Sequence, residues 1–160
     1  PFPMQQDWAF NKHEDSRYID ALVHLDNTCH DNGEIRFLEG SHKSGPLEHI
    51  IQFPDGQLCT PHLPTKDYSL EDTVPVSAKK GDVVLFNINT VHGSYINVTE
   101  SARKLVRVGY RNPENKQTAG QSAGRPGLIV HGTRVRKNGD ELFSTNGPKP
   151  ISVEETFAVG

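Results

Sequence analysis

The chain is written in short runs of β-branched and aromatic residues separated by turn formers, with almost no apolar repeat at helical spacing. Residues 18–25 (YIDALVHL) form one such run, closed by Asp26-Asn27. The Asp31-Asn32-Gly33 turn signal leads into 34–38 (EIRFL), expected to pair with the first run. Order returns over 73–78, and a turn at Lys79-Lys80-Gly81-Asp82 feeds Val83-Val84-Leu85-Phe86, with His92 in the turn region that follows. Residues 105–110 (LVRVGY) alternate, with Val106, Val108 and Tyr110 on one face. A further strand is expected over 128–135 and an irregular tail from Lys137. Residues 43–72 hold Pro46, Pro54, Gly56, Pro61 and Pro64 and read as a long loop with at most one short helix. A connection that long in a compact domain is often a lid or a binding loop. Many short strands with little helix predict an all-β, antiparallel two-layer fold.

Composition narrows the function classes. Leu, Ile, Val and Phe supply 39 of 160 residues, enough for a single packed domain over 1–160. A net charge of −3 gives no electrostatic footprint for nucleic acid or an anionic membrane. No apolar run approaches the roughly 20 residues that span a bilayer, and no signal peptide opens the chain. Cys29 and Cys59 form no CxxC pair and read as reduced thiols of a cytoplasmic protein. Asn97-Val98-Thr99 matches a glycosylation acceptor, but nothing else points to secretion. Pro1-Phe2-Pro3 enters the first motif directly, so elements that would cover such a site upstream are expected to be lacking.

Gln5 and Asp7 have the i, i+2 spacing that sends two side chains to one side of a strand. His92 lies far along the chain, on a segment that can fold back beside them. Few protein ligands on one face, leaving open positions, is the arrangement that non-haem iron uses for O₂ chemistry. By spacing alone the pattern is weak, because Gln-x-Asp is common.

The motifs taken together are specific. Pro3-Met4-Gln5-Gln6-Asp7 resembles the Pro-Met-His-Gln-Asp segment of the phytanoyl-CoA dioxygenase family, with Gln5 in place of the first ligand histidine. Asn32-Gly33, Leu38 to Lys43 (LEGSHK), Lys80-Gly81-Asp82, His92-Gly93-Ser94, Asn97 and Thr99 follow in the family's order, over about residues 1 to 111. The resemblance implies a double-stranded β-helix, the cupin-like jelly-roll, with Fe(II) in its open end and 2-oxoglutarate as co-substrate. It implies Asp7 and His92 as metal ligands with Gln5 at the third position, and no further catalytic side chain. Arg103, 11 residues past His92, takes the place of the arginine that grips the distal carboxylate of 2-oxoglutarate, with Ser94 adding a hydroxyl. A planar guanidinium suits that task because it makes two parallel hydrogen bonds to one carboxylate. The activity implied is hydroxylation of a small organic substrate by O₂. A carboxamide is a weaker donor to Fe(II) than imidazole, so the alternative is an impaired member that only binds a small carboxylate.

The remaining histidines carry less. His13 reaches the site only if its loop folds back, and His24 sits on a strand facing either core or site. His30, His49, His62 and His131 are expected in solvent-facing loops, and His42 in a structural Gly-Ser-His turn. Trp8 is expected to pack the core or line the pocket. The glycine-rich stretch from Gly120 to Gly127 lacks the Gly-Lys-Ser/Thr of a phosphate-binding loop.

Overall fold

The computed structural model describes residues 2–120, 123, 124 and 127–132. It divides into a compact unit, Pro1–Gly124, and a second, Arg125–Gly160. Eleven strands are present among the described residues: β1 (Phe2–Gln5), β2 (Asn11–His13), β3 (Tyr18–His24), β4 (Ile35–Phe37), β5 (Ile50–Gln52), β6 (Leu58–His62), β7 (Val74–Val76), β8 (Val83–Asn87), β9 (His92–Ser94), β10 (Leu105–Arg111) and β11 (Gln117–Gly120). Among the described residues the only helical pieces are three 3₁₀ turns, at Asp7–Ala9, Ser41–Ser44 and Leu70–Asp72. No described helix is long and apolar enough to cross a membrane.

Two sheets carry the site. One has the order β1-β9-β4-β7 and the other β10-β3-β8, with every pairing antiparallel. Phe37 of the first sheet meets Phe86 of the second at 5.1 Å between ring centroids. This is the double-stranded β-helix that the motifs imply. The pairing of 18–25 with 34–38 does not form. β3 lies between β10 and β8, while β4 pairs with β7 and β9, because jelly-roll strands find their partners across long connections rather than across the nearest turn. Residues 43–72 are more ordered than a loop: β5 and β6 form a small hairpin around Asp55-Gly56, and a 3₁₀ turn follows at 70–72. His92 opens strand β9 instead of lying in a turn. No strand occurs in the described part of 128–135; Thr133 to Val135 and the tail from Lys137 lie outside the described residues.

The interior is unusually polar. Among the described residues, eight apolar side chains are buried against fifteen polar or charged ones. The apolar cluster is Met4, Leu63 and Val91, with Leu38, Leu47, Tyr68 and Leu70 packed on it. The three-stranded sheet mixes charge into its inward face, beside the buried Leu22 and Phe86. Its inward face carries Asp20, His24 and Arg107, while Val106, Val108 and Tyr110 on its outward face are 46%, 38% and 47% exposed.

One turn shows how tightly the chain is shaped. Gly33 holds a left-handed φ of +79°, and a Cβ there would lie 2.8 Å from the carbonyl oxygen of Tyr95. Gly33→Ala is expected to cost at least about 1–2 kcal/mol from backbone conformation alone. A thermal melt should show a fall in Tm of roughly 3 °C or more.

Candidate metal and co-substrate site

β1 delivers the first residues. Gln5 is the direct cross-strand partner of His92, so the two side chains leave the sheet on the same face. After Gln6 the chain turns through the 3₁₀ segment Asp7–Ala9, which Trp8 N–H pins to the carbonyl of Ile88 at 3.1 Å. That turn points the Asp7 carboxylate back under the sheet, 3.7 Å (Oδ1) from His92 Nε2. Gln6 faces elsewhere and is fully used: its amide donates to the carbonyls of Gly45 and Asn89, and its oxygen accepts Leu47 N–H at 2.8 Å. Gln5, equally buried, has a side-chain oxygen with no hydrogen-bond partner.

His92 is held for coordination. Its Nδ1 lies 2.9 Å from the carbonyl of Thr90, which assigns the ring proton to Nδ1 and leaves the Nε2 lone pair facing Asp7. Phe37 and Phe86 wall the ring at 5.9 and 5.0 Å. Burial pushes the His92 pKa down, so the ring stays neutral. His92 Nε2 and the Asp7 carboxylate thus face one another, and Gln5, on the same face of the sheet as His92, has an orphaned oxygen. An unsatisfied buried acceptor costs about 1–3 kcal/mol, and a divalent cation held by Asp7 and His92 would offer the Gln5 oxygen a partner. The residues present fit such an ion.

The second sheet adds two charged residues that sequence reasoning missed. Arg107 Nε donates to Asp20 Oδ1 at 2.6 Å and lies 3.4 Å from Asp7 Oδ2. Asp20 is completely buried, and its Oδ2 has no partner. Burial and the neighbouring Asp7 charge push the Asp20 carboxyl up to about 7, against the pull of Arg107. Burial also raises Asp7, which Arg107 lowers in part. The signal was available: alternation along Tyr18–His24 puts Asp20 and His24 on one face, and along Leu105–Arg111 it puts Arg107 opposite Val106 and Val108.

Ser94 is buried two residues beyond His92 on the same face of β9. Arg103 precedes β10 and sits against His24, whose ring is buried with neither nitrogen hydrogen-bonded. Burial lowers the pKa of Arg103, and burial together with the Arg103 charge lowers that of His24. Ser94 and Arg103 are not hydrogen-bonded to each other, whereas Asp7 and His92 are brought within 3.7 Å and Gln5 is the cross-strand partner of His92. A cavity of ≈ 430 Å³ opens beside the aromatic wall, lined by Phe37, His42, Val76, Val84, Phe86 and Thr90 among others.

The other singled-out residues have structural uses. His13 Nδ1 bonds the Asn11 carbonyl at 2.7 Å and its ring packs on Tyr18. His49 is not solvent-facing: Nε2 accepts the N–H of Gln6 at 2.9 Å, fastening the turn that carries Asp7. His62 is likewise half-buried, whereas His30 and His131 are exposed. His42 is exposed and lines the cavity. Trp8 is half-buried, with the Lys12 ammonium over its ring at 5.1 Å. Asn97 is committed to a turn through Ser101 and Thr99, and both cysteines are free thiols.

The sequence profile of the phytanoyl-CoA dioxygenase family matches residues 1–105. The chain belongs to that family. A probable alpha-ketoglutarate-dependent hypophosphite dioxygenase of Stutzerimonas stutzeri is 30% identical over 115 residues, covering 69% of this chain and 39% of the relative. A 2-aminoethylphosphonate dioxygenase from uncultured bacterium HF130_AEPn_1 is 29% identical over 64% of this chain and 36% of its own length. The chain thus spans well under half of these relatives. Among solved structures, EvdO2 from Micromonospora carbonacea var. aurantiaca complexed with 2-oxoglutarate superposes with a TM-score of 0.59 at 22% identity, over 74% of this chain and 47% of that one. The apo non-heme monooxygenase ThoJ gives 0.65 at 24% identity, over 82% and 46%. At such identities the likeness establishes the fold.

Proposed function

We propose that this chain carries the metal- and co-substrate-binding core of an Fe(II)/2-oxoglutarate-dependent oxygenase acting on a small organic molecule. The observation that carries the reading is that the Asp7 carboxylate lies 3.7 Å from His92 Nε2 on a buried face, where Gln5, the cross-strand partner of His92, has an unpartnered side-chain oxygen. Family membership supports the same chemistry. Overall, R–H, O₂ and 2-oxoglutarate become R–OH, succinate and CO₂; one oxygen atom enters the substrate and the other enters succinate.

Asp7 and His92 hold the ion, and Gln5 offers a third, neutral oxygen. Ferrous iron, when bound there, supplies the positions and the reducing power for O₂ activation. Thr90 keeps the His92 proton on the far nitrogen, so the coordinating one is always available. Arg103 and Ser94 bind the distal carboxylate of 2-oxoglutarate and fix its orientation. Phe37 and Phe86 exclude water from the metal face and shape the cavity that receives the substrate.

A second reading, a binding protein that holds a small carboxylate without turnover, draws support from Gln5 and from the Arg107 guanidinium beside Asp7. Anaerobic loading with Fe(II), then addition of O₂ and 2-oxoglutarate, separates the two. Succinate should form in the wild type and fall to background in His92→Ala. Iron bound by His92 without any succinate would favour the binding protein.

A further inference from the structure

We propose that Arg107 is a tethered cation competing with the divalent metal for Asp7, and that Asp20 governs the competition by holding the guanidinium. The inference rests on the reading of Asp7 and His92 as metal ligands. Its own basis is the second sheet. Arg107 is paired in register with Leu22, and Asp20 with Gly109, so the two side chains share the inward face one step apart. The guanidinium binds Asp20 at 2.6 Å and stands 3.4 Å from the Asp7 oxygen that His92 does not face. Asp20 is wholly buried and its second oxygen is unpartnered, so it has no other cation to turn to. Without metal, one positive charge serves two buried carboxylates, which keeps the site from holding uncompensated like charges.

A metal ion arriving at Asp7 must share that carboxylate with Arg107 or send the guanidinium fully to Asp20. Either way the ion meets a fixed positive charge within a few ångströms, and its affinity falls. Arg107 is therefore a positioning residue that acts on a ligand, and its effect belongs to its charge rather than its bulk. Gln5 and Arg107 weaken the same site independently, one as a poor donor and the other as a competing cation.

Mn(II) titration, followed by the electron paramagnetic resonance of the free ion, tests this on the full chain without turnover. Arg107→Met should tighten Mn(II) at least tenfold, whereas Arg107→Lys, which keeps the charge, should bind nearly as weakly as wild type. Asp20→Asn should weaken binding several-fold, and that loss should shrink in the Arg107→Met background. On the unmodified chain, the Arg107 Nε–H resonance, identified by its absence in Arg107→Lys, should shift on saturation with diamagnetic Zn(II). This measurement decides the matter if the Met variant fails to fold, and an unmoved resonance at saturation overturns the proposal. Equal Mn(II) affinity in wild type, Met and Lys, with binding abolished by His92→Ala, also overturns it while leaving the metal reading standing. Tightening by Met and Lys alike would make the effect one of packing and overturn it too. Binding untouched by His92→Ala, or absent in every variant, removes the metal reading and the proposal together.

Discussion

Gln5→His is expected to tighten divalent-metal binding by one to two orders of magnitude and to raise 2-oxoglutarate decarboxylation in proportion. Imidazole is a better donor to Fe(II) than a carboxamide oxygen, and the position is already built for a ligand. Gln5 stands directly across from His92 in the sheet, with its oxygen buried and unpartnered. Neighbouring Gln6 shows what a structural glutamine looks like in this turn, with its oxygen and its amide nitrogen both bonded to the surrounding loops. Replacing Gln6 should damage folding, while replacing Gln5 should change metal affinity. Mn(II) titration of wild type, Gln5→His and His92→Ala reads this directly. An unchanged dissociation constant in Gln5→His would take residue 5 out of the coordination sphere.

The candidate ligands were singled out by the ordered motifs of the resemblance and not by strand spacing, since Gln5 ends β1 but Asp7 lies in the 3₁₀ turn that follows. Gln5 and Asp7 flank a single residue, and His92 precedes a Gly-Ser pair in the family's order. The charged pair on the second sheet was not legible, because Asp20 and Arg107 share a face with the buried apolar Leu22 and Phe86. Along Leu105–Arg111 the alternation is clean, yet Val106, Val108 and Tyr110 face outward and Arg107 faces the site. The strand pairing was misread for a related reason. Asn32-Gly33 suggests a local hairpin, but the left-handed Gly33 serves to pass the chain under Tyr95 toward β7 and β9. Nothing local encodes those partners, which lie about forty and about fifty-five residues away. The β5–β6 hairpin hid in a proline-rich stretch because its strands are short and largely exposed, with no apolar face to reveal their period.

The polar interior follows from this division of labour. A fold of this size gains stability by burying apolar surface, yet the most deeply buried residues here include Asp20, His24, Gln6, Asn89 and Asn115. Gln6 and Asn115 repay burial with hydrogen bonds that join distant loops, Asn115 to the backbone of Asp15 and Arg17. Asp20, His24 and Gln5 do not, since each keeps at least one buried polar atom without a partner. Asn89 Oδ1 is left without a partner in the same way.

Arg103→Ala should abolish 2-oxoglutarate binding while leaving the fold intact. Arg103 lies two residues before β10 and is partly buried, and that burial lowers its pKa. The adjacent His24 ring is buried with both nitrogens unpaired. A carboxylate placed between them accepts two parallel hydrogen bonds from the guanidinium, a contact that only arginine makes. Removing it leaves a desolvated carboxylate unpaired, at a cost of roughly 2–5 kcal/mol, or more than tenfold in affinity. Arg103→Lys should recover little of this, because a point charge does not reproduce the planar fork. Thermal melts of the three proteins should nearly coincide, since Arg103 makes no hydrogen bond that holds strands together. A surface arginine at the head of a strand predicts the opposite pattern, with 2-oxoglutarate affinity unchanged throughout. Calorimetric titration of 2-oxoglutarate into wild type, Arg103→Ala and Arg103→Lys distinguishes them, and equal affinity in all three would move the co-substrate carboxylate away from Arg103.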